Sequence, residues 1–221
     1  MIGITREDFG HMIRGAAGAI RAQHGRLSEL DCAAGDGDHG ATMLRVVESL
    51  EKTFAPGGTV ELRKCLREAG WSVLGVDGGA SSSLLGTFFG GMADATVCET
   101  PLGANELTAV FEAGLAAVRK QTKAQPGDKT MMDALAPAIE AMRASVDAGK
   151  SAVESLRDAA EAARKGAEGT RNLIARYGRA RLQGEKTIGH EDPGAISVGL
   201  MFAGFCSGVG KLKGDSGNAR S

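Results

Sequence analysis

Apolar residues recur along this chain at the spacing of an α-helix almost from end to end. The clearest stripe lies near the N-terminus and consists of Phe9, Met12, Ile13, Ala16, Ala17 and Ile20, which share one helical face. A second stripe of the same spacing runs from Leu107 to Val118. We find no sustained alternation of apolar and polar residues, the pattern of a β-strand. The chain is therefore predicted to be all-α.

Two helix starts carry a capping pattern. Thr5 with Asp8, and Ser151 with Glu154, have the spacing of a capping box. The second one begins an alanine-rich helix that we expect to reach about Tyr177. Further helices are predicted at about 39–54, 59–76, 80–97, 129–147 and 194–211.

Eight helices with short connections predict an antiparallel bundle, because sequential helices then pack side by side. Pro137 should kink the helix at 129–147 or delay its start. We find no internal repeat or linker. Residues 1–210 are expected to form a single domain, followed by a polar C-terminal tail at 211–221.

Composition narrows the class of protein. The 221 residues are 43% hydrophobic and 24% charged with a net charge of −1, which is typical of a globular protein and makes nucleic acid a poor partner. No stretch approaches the roughly 18 apolar residues of a membrane span, and no targeting segment opens the chain. We expect a cytoplasmic location and no membrane partner, with free thiols at Cys32, Cys65, Cys98 and Cys206.

The chain holds 33 glycines, about twice the usual share of roughly 7%, and many of them collect in four junctions between predicted helices. The junctions span residues 30–42, 75–86, 125–133 and 178–195. A glycine-rich junction that leads into a helix exposes unpaired backbone N–H groups, which bind phosphate well. Four of them suggest a shared pocket at one end of the bundle.

The first junction contains Asp31, Asp36 and Asp38 within eight residues. Two carboxylates about 4 Å apart repel by roughly 4 kcal/mol at an effective dielectric constant of 20, so three that converge need a cation. Hard oxygen ligands on a tight loop suit Mg²⁺. The alternative is that these aspartates only cap and turn the chain. His39 follows them, either as a hydrogen-bonded neighbour or as a phosphate contact.

The second and third junctions each allow two interpretations. The small residues around Ser81 form either a close helix crossing or a surface where the serine donates to phosphate. Met131 is either a core residue or a contact for an adenine face. Lys129 is either solvated or a phosphate partner.

The residues of the fourth junction also allow two interpretations. Arg179 either reaches a phosphate or complements a helix C-terminus. Asp192 before Pro193 has the pattern of an ordinary N-cap, although the long irregular segment around them argues against a purely structural role. The chain has no P-loop, kinase signature or Rossmann motif, so any phosphoryl transfer uses another scaffold.

Taken together, the four junctions carry the motifs LDCAAGDGDHG, GGAS, PGDKTM and GRA…GEKTIGHEDPGA in that order. This ordered set resembles the nucleotide-binding (L) subunit or domain of dihydroxyacetone kinases, from the first helix to about residue 210. The chain departs from the family pattern at Ser82 and Ser83, where Gly-Pro is usual, and at the run Arg181, Leu182 and Gln183.

The resemblance implies an eight-helix antiparallel barrel with a nucleotide–metal site at one end. Two Mg²⁺ ions would bridge Asp31, Asp36 and Asp38 to the phosphates of ADP or ATP. The residues that the resemblance assigns to the nucleotide are His39, Gly40, Ala41, Thr42, Ala80, Ser81, Thr122, Met131, Arg179, Asp192, Pro193 and Gly194.

The resemblance also implies a partner. A separate ketose-binding subunit would hold dihydroxyacetone, erythrulose or a similar small ketose, and this chain would deliver the phosphoryl group without supplying a general base. Either ATP exchanges at each turnover, or bound ADP is rephosphorylated by a phosphohistidine protein of the sugar phosphotransferase system. The sequence leaves open whether the chain forms a homodimer. The alternatives are a nucleotide-loaded regulatory partner of another protein and a metal-dependent phosphohydrolase.

Overall fold

The computed structural model describes residues 3–33, 35–57, 61–96 and 101–214, with side chains up to residue 210. Eight α-helices follow one another: α1 Arg6–Cys32, α2 His39–Thr53, α3 Leu62–Leu74, α4 Gly79–Ala95, α5 Ala104–Gln121, α6 Met132–Asp147, α7 Ala152–Gly169 and α8 Pro193–Gly214. The α7–α8 connection contains two 3₁₀ segments, Thr170–Asn172 and Arg179–Thr187. Within the described ranges the β-structure is one isolated bridge, between Ile4 and Leu102.

The helices form a closed ring. Each helix packs on the next one along the chain, and α1 packs on α8. The predicted eight-helix antiparallel barrel is confirmed. In such an up-and-down arrangement the odd-numbered helices end, and the even-numbered helices begin, at the same end of the barrel, which we call the cavity end. All four glycine-rich junctions lie there.

Residues of the predicted α1 stripe are all buried in the core. Aromatic side chains fill the barrel between α4, α5 and α8, where Phe111 packs on Phe88, Phe202 and Phe205 with ring centroids 5.8–6.2 Å apart. Edge-to-face contacts of this kind add to the free energy that burial alone supplies.

Several glycines are explained by the crossing of α1 and α8, which closes the barrel. A Cβ atom added to Gly15 would lie 2.1 Å from the carbonyl oxygen of Gly204, and one added to Gly204 would lie 2.3 Å from Ala16 Cα. Because real Cβ atoms do not approach backbone this closely, the two helices can touch only where both lack a side chain.

Pro137 lies inside α6, and the helix begins at Met132 rather than at 129. Proline has no backbone N–H, so the carbonyl of Asp133 loses its helical partner. The neighbouring α7 comes close at this point, where a Cβ atom on Gly166 would lie 1.9 Å from that carbonyl oxygen. The proline and the glycine together allow the close contact between α6 and α7.

Helix boundaries differ from the prediction in two places. The alanine-rich helix α7 ends at Gly169 instead of near Tyr177, because the carbonyl of Thr170 accepts a hydrogen bond from the side chain of Lys129 (2.7 Å) and from the N–H of Leu173 in a 3₁₀ turn. At the other end of the chain, α8 continues to Gly214, four residues into the predicted tail. Residues 215–221 lie outside the described residues.

One helix departs from the expectation that no segment could span a membrane. Residues 193–210 of α8 have a mean hydropathy of 1.4, so by length and composition this helix could cross a membrane. Half of the window is buried inside the protein. A central helix packed between two neighbours has the same composition. The thiols of Cys32 and Cys206 are free, Cys65 is buried in the core, and Cys98 lies outside the described residues.

Candidate functional site

The four junctions enclose a cavity of about 310 Å³ at the cavity end. Most of the predicted nucleotide-binding residues line it together with one predicted metal ligand: Asp31, His39, Ala80, Ser81, Thr122, Met131, Arg179, Asp192, Pro193 and Gly194. The other predicted residues lie beside the cavity without lining it: Asp36, Asp38, Gly40, Ala41 and Thr42. The fold thus brings together residues that are up to 163 positions apart in the numbering, from Asp31 to Gly194.

Asp31, Asp36 and Asp38 form a cluster at the cavity mouth. Each offers a carboxylate oxygen within 4.8 Å of the others, with Asp31 partly buried and the other two exposed. The guanidinium of Arg179 forms an ion pair with Asp36 across the mouth. Desolvation would raise the pKa of Asp36, but the hydrogen bond and charge of Arg179 lower it overall. A positive charge therefore already stabilises one member of the cluster.

His39 is buried at the start of α2 and hydrogen-bonded on both ring nitrogens. Its Nε2 lies 2.7 Å from Ser197 Oγ, and Ser197 donates its own proton to the carbonyl of Pro193 (2.9 Å). Nε2 must then carry the imidazole proton, which leaves Nδ1 as an acceptor 3.4 Å from Ser81 Oγ. Burial lowers the pKa of His39, against the opposing charges of Asp31 and Asp38, so the ring is neutral near pH 7.

The helices α2 and α4 begin without a cap from their own N-cap residues, and the first N–H of α2, that of His39, donates to the Asp31 carboxylate at 3.2 Å. Their N-cap residues, Asp38 and Gly78, make no capping hydrogen bond. Within the described part of the chain, no acceptor faces the backbone N–H groups of Gly40 and Ala41 in α2, or of Ala80 in α4. Uncapped N–H groups at the positive end of the helix dipole attract anions, and both helix starts adjoin the carboxylate cluster or the cavity.

Gly40 and Thr42 also have packing roles. A Cβ atom on Gly40 would lie 2.0 Å from the carbonyl oxygen of His24, so glycine is required for α2 to reach α1. Thr42 is buried, and its Oγ1 accepts a hydrogen bond from Arg45 (3.0 Å). A phosphate contact of Gly40 is therefore limited to its backbone N–H. The backbone N–H of Thr42 already donates to the carbonyl of Asp38 (2.9 Å), which leaves its hydroxyl proton for a phosphate. Ala41 is exposed.

The third junction is a tight turn organised by Asp133, a residue to which the sequence pattern assigned no function. One carboxylate oxygen accepts from the N–H of Gly127 (2.6 Å) and the other from Thr130 (2.7 Å). This turn holds Lys129 in the left-handed region at φ 58°. The Lys129 side chain is neither solvated nor free to meet a phosphate, because it is 4% exposed and donates to three carbonyls.

Asp192 caps α8, as its sequence pattern indicated, and also lines the cavity. Its Oδ2 accepts from the N–H of Ala195 at 2.7 Å. Burial raises the pKa of Asp192 to about 7, helped by the charge of Asp133 and opposed by hydrogen bonds from Ala195 and by the charge of Lys129. The cavity thus contains a carboxyl group that titrates near neutral pH.

Several lining residues were missed by sequence reasoning. Leu84, Ala124 and Met132 form an apolar wall with Met131, a surface that suits a flat ring, and Met131 is itself 6% exposed. No sequence signal separates these residues from ordinary core positions. Tyr177 is the single tyrosine of the chain and lines the cavity two residues before Arg179, a position that could have marked it.

Comparison with known proteins agrees with this geometry. The model of the DAK2 domain matches residues 33–207. The chain is 40% identical over 176 residues to the ADP-binding subunit DhaL of PEP-dependent dihydroxyacetone kinase 1 from Listeria innocua, covering 80% of this chain and 83% of that protein. It is 38% identical to the corresponding DhaL subunit from Escherichia coli, covering 80% and 84%.

Longer proteins contain a similar region. The chain is 34% identical to the triokinase/FMN cyclase of Rattus norvegicus and spans 30% of that protein's length. The crystal structure of the dihydroxyacetone kinase of C. freundii superimposes with a TM-score of 0.70 at 23% identity, covering 90% of this chain and 34% of that one. The same kinase in complex with AMP-PNP and Mg²⁺ superimposes equally well. By sequence and by fold, this chain belongs to the DAK2 family, with the ADP-binding DhaL subunits of dihydroxyacetone kinases.

Proposed function

We propose that this chain is the nucleotide-binding, phosphoryl-transferring subunit of a dihydroxyacetone-type kinase. It binds ADP or ATP with Mg²⁺ in the cavity and delivers a phosphoryl group to a small ketose held by a separate subunit. Family membership supports this proposal, since four relatives are named as ADP-binding subunits of PEP- or PTS-dependent dihydroxyacetone kinases.

One observation carries the proposal: three carboxylates within 4.8 Å of one another lie at a cavity mouth beside two helix N-termini whose N-cap residues make no capping hydrogen bond. Carboxylates and amide N–H groups recognise opposite charges, so a ligand that satisfies both must combine cations with an anion. Hard oxygen donors fit Mg²⁺, which keeps substrate phosphates among its ligands. The residues present therefore fit magnesium and a diphosphate, and we expect two ions at Asp31, Asp36 and Asp38.

The other groups of the site have separable tasks. The N–H groups at the starts of α2 and α4 hold phosphate oxygens, and the apolar wall around Leu84 and Met132 receives the base. Arg179 is 67% exposed at the mouth, where its guanidinium can leave Asp36 for a phosphate oxygen. Bound Mg²⁺ neutralises the charge that develops on the transferring group. No general base is assigned in this chain.

The surface around the cavity mouth supports docking of a partner protein. In the described part of the chain, every large hydrophobic side chain that is strongly exposed lies at the cavity end: Trp71, Leu74, Ile174, Tyr177, Leu182 and Ile188. Trp71 is 72% and Leu182 is 85% exposed. Exposed aromatic and aliphatic residues around a functional site are typical of a protein interface.

The names of the relatives favour bound ADP over exchanging ATP, because they combine "ADP-binding" with PEP or PTS dependence. We therefore expect ADP to remain bound and to be rephosphorylated by a phosphohistidine protein. Nucleotide should then survive purification and gel filtration, and rapid exchange of labelled ADP would exclude this version.

The decisive experiment is reconstitution. The chain is mixed with a ketose-binding subunit, MgATP or a phosphohistidine donor system, and either dihydroxyacetone or erythrulose, and ketose phosphate is measured. Product that requires both subunits supports the proposal. Nucleotide binding without product for any ketose would favour a regulatory partner instead, and release of phosphate without a second subunit would indicate a phosphohydrolase.

A further inference from the structure

Lys129 has an unusual environment for a lysine. It lies in the turn between α5 and α6, lines the cavity, and is only 4% exposed. Among the described residues, Lys129 is the one residue other than glycine whose φ lies in the left-handed region. Lysine adopts this conformation at a cost, so neighbouring structure must hold it there.

The ammonium group of Lys129 uses all three of its protons on backbone carbonyls. It donates to Thr170 at 2.7 Å, to Thr187 at 2.8 Å and to His190 at 2.5 Å. All three acceptors belong to the α7–α8 connection, residues 170–192, at its beginning and near its end. One side chain thereby ties both ends of this long segment to the α5–α6 turn.

The turn that presents Lys129 is itself fixed. Asp133 accepts from the N–H groups of Gly127 and Thr130 on either side of it. Burial lowers the pKa of Lys129, and the charges of Asp192, Asp133 and Glu191 oppose this effect. These three carboxyl groups compensate the ammonium in its buried place. Glu191 is further paired with Arg26 and Arg171.

The α7–α8 connection needs such support because it has little structure of its own. It consists of 3₁₀ turns with a break at Gly184 (φ 56°, ψ −130°). The same segment carries Tyr177 and Arg179, which line the cavity. A further tie is the hydrogen bond from the N–H of Arg176 to the carbonyl of Asp128 at 3.1 Å, again to the α5–α6 turn.

We infer that Lys129 is a positioning residue that holds the α7–α8 connection over the cavity, and that tight nucleotide binding requires it. Lys129 touches no phosphate in this account. It acts through the backbone of residues 170–190, which sets the place of Tyr177 and Arg179. The inference rests on the proposed function for its nucleotide part, while the effect on the connection is independent of any ligand.

The test separates the effect of the Lys129 ammonium group from the effect of the strained backbone at this residue. Lys129→Met removes the donors and keeps the strain, Lys129→Gly removes the donors and relieves the strain, and Lys129→Arg keeps a multiple donor. Lys165→Met, on the exposed face of α7, is the control for loss of one positive charge. Two quantities are measured on each folded protein: hydrogen exchange of residues 171–190 without nucleotide, and the Kd of MgADP by calorimetry.

We expect Lys129→Met and Lys129→Gly to increase exchange in residues 171–190, with the rest of the barrel unchanged. MgADP affinity should fall by about tenfold or more, and Lys129→Arg should restore part of both properties. On gel filtration the same variants should lose the nucleotide that the wild type keeps, and in a reconstituted kinase they should leave KM for the ketose unchanged. Lys165→Met should match the wild type.

Wild-type exchange and wild-type MgADP affinity in folded Lys129→Gly would overturn the inference, even if Lys129→Met fails to fold. A loss of affinity in Lys129→Met that Lys129→Gly reverses would also overturn it, since backbone strain alone would then explain the effect. Wild-type protein that does not bind MgADP would instead contradict the proposed function, and the exchange measurement would still decide the role of Lys129.

Discussion

Two pairs of helix N-termini, one pair at each end of this barrel, begin in different ways. At the end away from the cavity, α1 and α7 begin with complete capping boxes, Thr5 with Asp8 and Ser151 with Glu154. At the cavity end, α2 and α4 begin without a cap from their own N-cap residues, and the Asp31 carboxylate accepts the N–H of His39 at 3.2 Å. The remaining helix starts do not follow the ends of the barrel, because α3 and α5 at the far end lack a side-chain cap and α8 at the cavity end is capped by Asp192. Capping satisfies N–H groups inside the chain and stabilises the fold. Leaving N–H groups unsatisfied forgoes that stability and retains a site for an anion.

Carboxylates follow the same division. Those of the capping boxes accept backbone hydrogen bonds, from Thr5 at 2.8 Å and from Ser151 at 2.9 Å. Those of the cavity mouth lie close to one another, where they repel, and of these Asp31 also accepts the N–H of His39 at 3.2 Å. The difference teaches that the starts of α1 and α7 contribute to stability, whereas those of α2 and α4 keep N–H groups and carboxylates for a ligand whose charges complete them. Four substitutions test this division, taken from the largest expected effect to the smallest.

The largest effect is expected for Asp38→Asn at the cavity mouth. Asparagine keeps the shape of the exposed side chain but removes one of three clustered charges, so MgADP affinity should fall by about 100-fold. Thermal stability without Mg²⁺ should be unchanged or slightly higher, because repulsion within the cluster is reduced. Calorimetric titration and thermal unfolding measure the two quantities.

The control for that substitution is Asp147→Asn, an exposed carboxylate near the C-terminus of α6, at the opposite end. It should leave MgADP affinity unchanged. Equal losses in both variants would mean that net charge, rather than the cluster, governs nucleotide binding.

Asp192→Asn should change how stability depends on pH. The pKa of Asp192 is raised from 3.8 to about 7 in the folded chain, so the folded state binds this proton more tightly than the unfolded state. The resulting stability is present below about pH 4 and is lost as the pH rises through about 7. Asparagine stays neutral and still caps α8, so urea unfolding of the variant should lack the loss of stability that the wild type shows between pH 4 and 8. Identical pH profiles for both proteins would contradict the burial of this carboxyl group.

Gly40→Ala should weaken both stability and nucleotide binding. The added Cβ atom would meet the carbonyl oxygen of His24 at 2.0 Å and push the start of α2 away from α1, at about 1–3 kcal/mol. Gly25→Ala is the matched control, since its Cβ atom would meet nothing within 4 Å. Chemical denaturation compares the two, and a Gly40→Ala protein as stable as Gly25→Ala would show that the contact is not restrictive.

The smallest effect is expected for Ser151→Ala at the opposite end. Loss of the capping box should cost about 1 kcal/mol of stability, or roughly 2–4 °C in Tm for a chain of this size. MgADP affinity should stay as it was, because α7 begins far from the cavity. A change in affinity would mean that the two ends are coupled.

Local patterns predicted much of the fold. The capping boxes, the apolar stripe of α1 and the four glycine-rich junctions depend on residues close together in the chain, and each is confirmed in the structure. The order of the four junction motifs along the chain identified the family. The clustering of Asp31, Asp36 and Asp38 was also predictable, since they lie within eight residues, although their role as metal ligands stays a prediction.

Features that depend on distant contacts could not be predicted. Lys129 meets carbonyls 41, 58 and 61 residues away, and no local pattern distinguishes it from a surface lysine. The early end of α7 follows from the same contact. The pairing of Arg179 with Asp36 likewise appears only when the first and fourth junctions meet at the cavity mouth.

The most direct test of the central claim is a crystal structure of this chain grown with ADP and MgCl₂. We expect metal density between Asp31, Asp36 and Asp38, with the diphosphate at the N–H groups of Gly40 and Ala41 in α2 and of Ala80 in α4. Aspartate side chains in bulk solvent without an ion, or a nucleotide bound away from these helix starts, would contradict it.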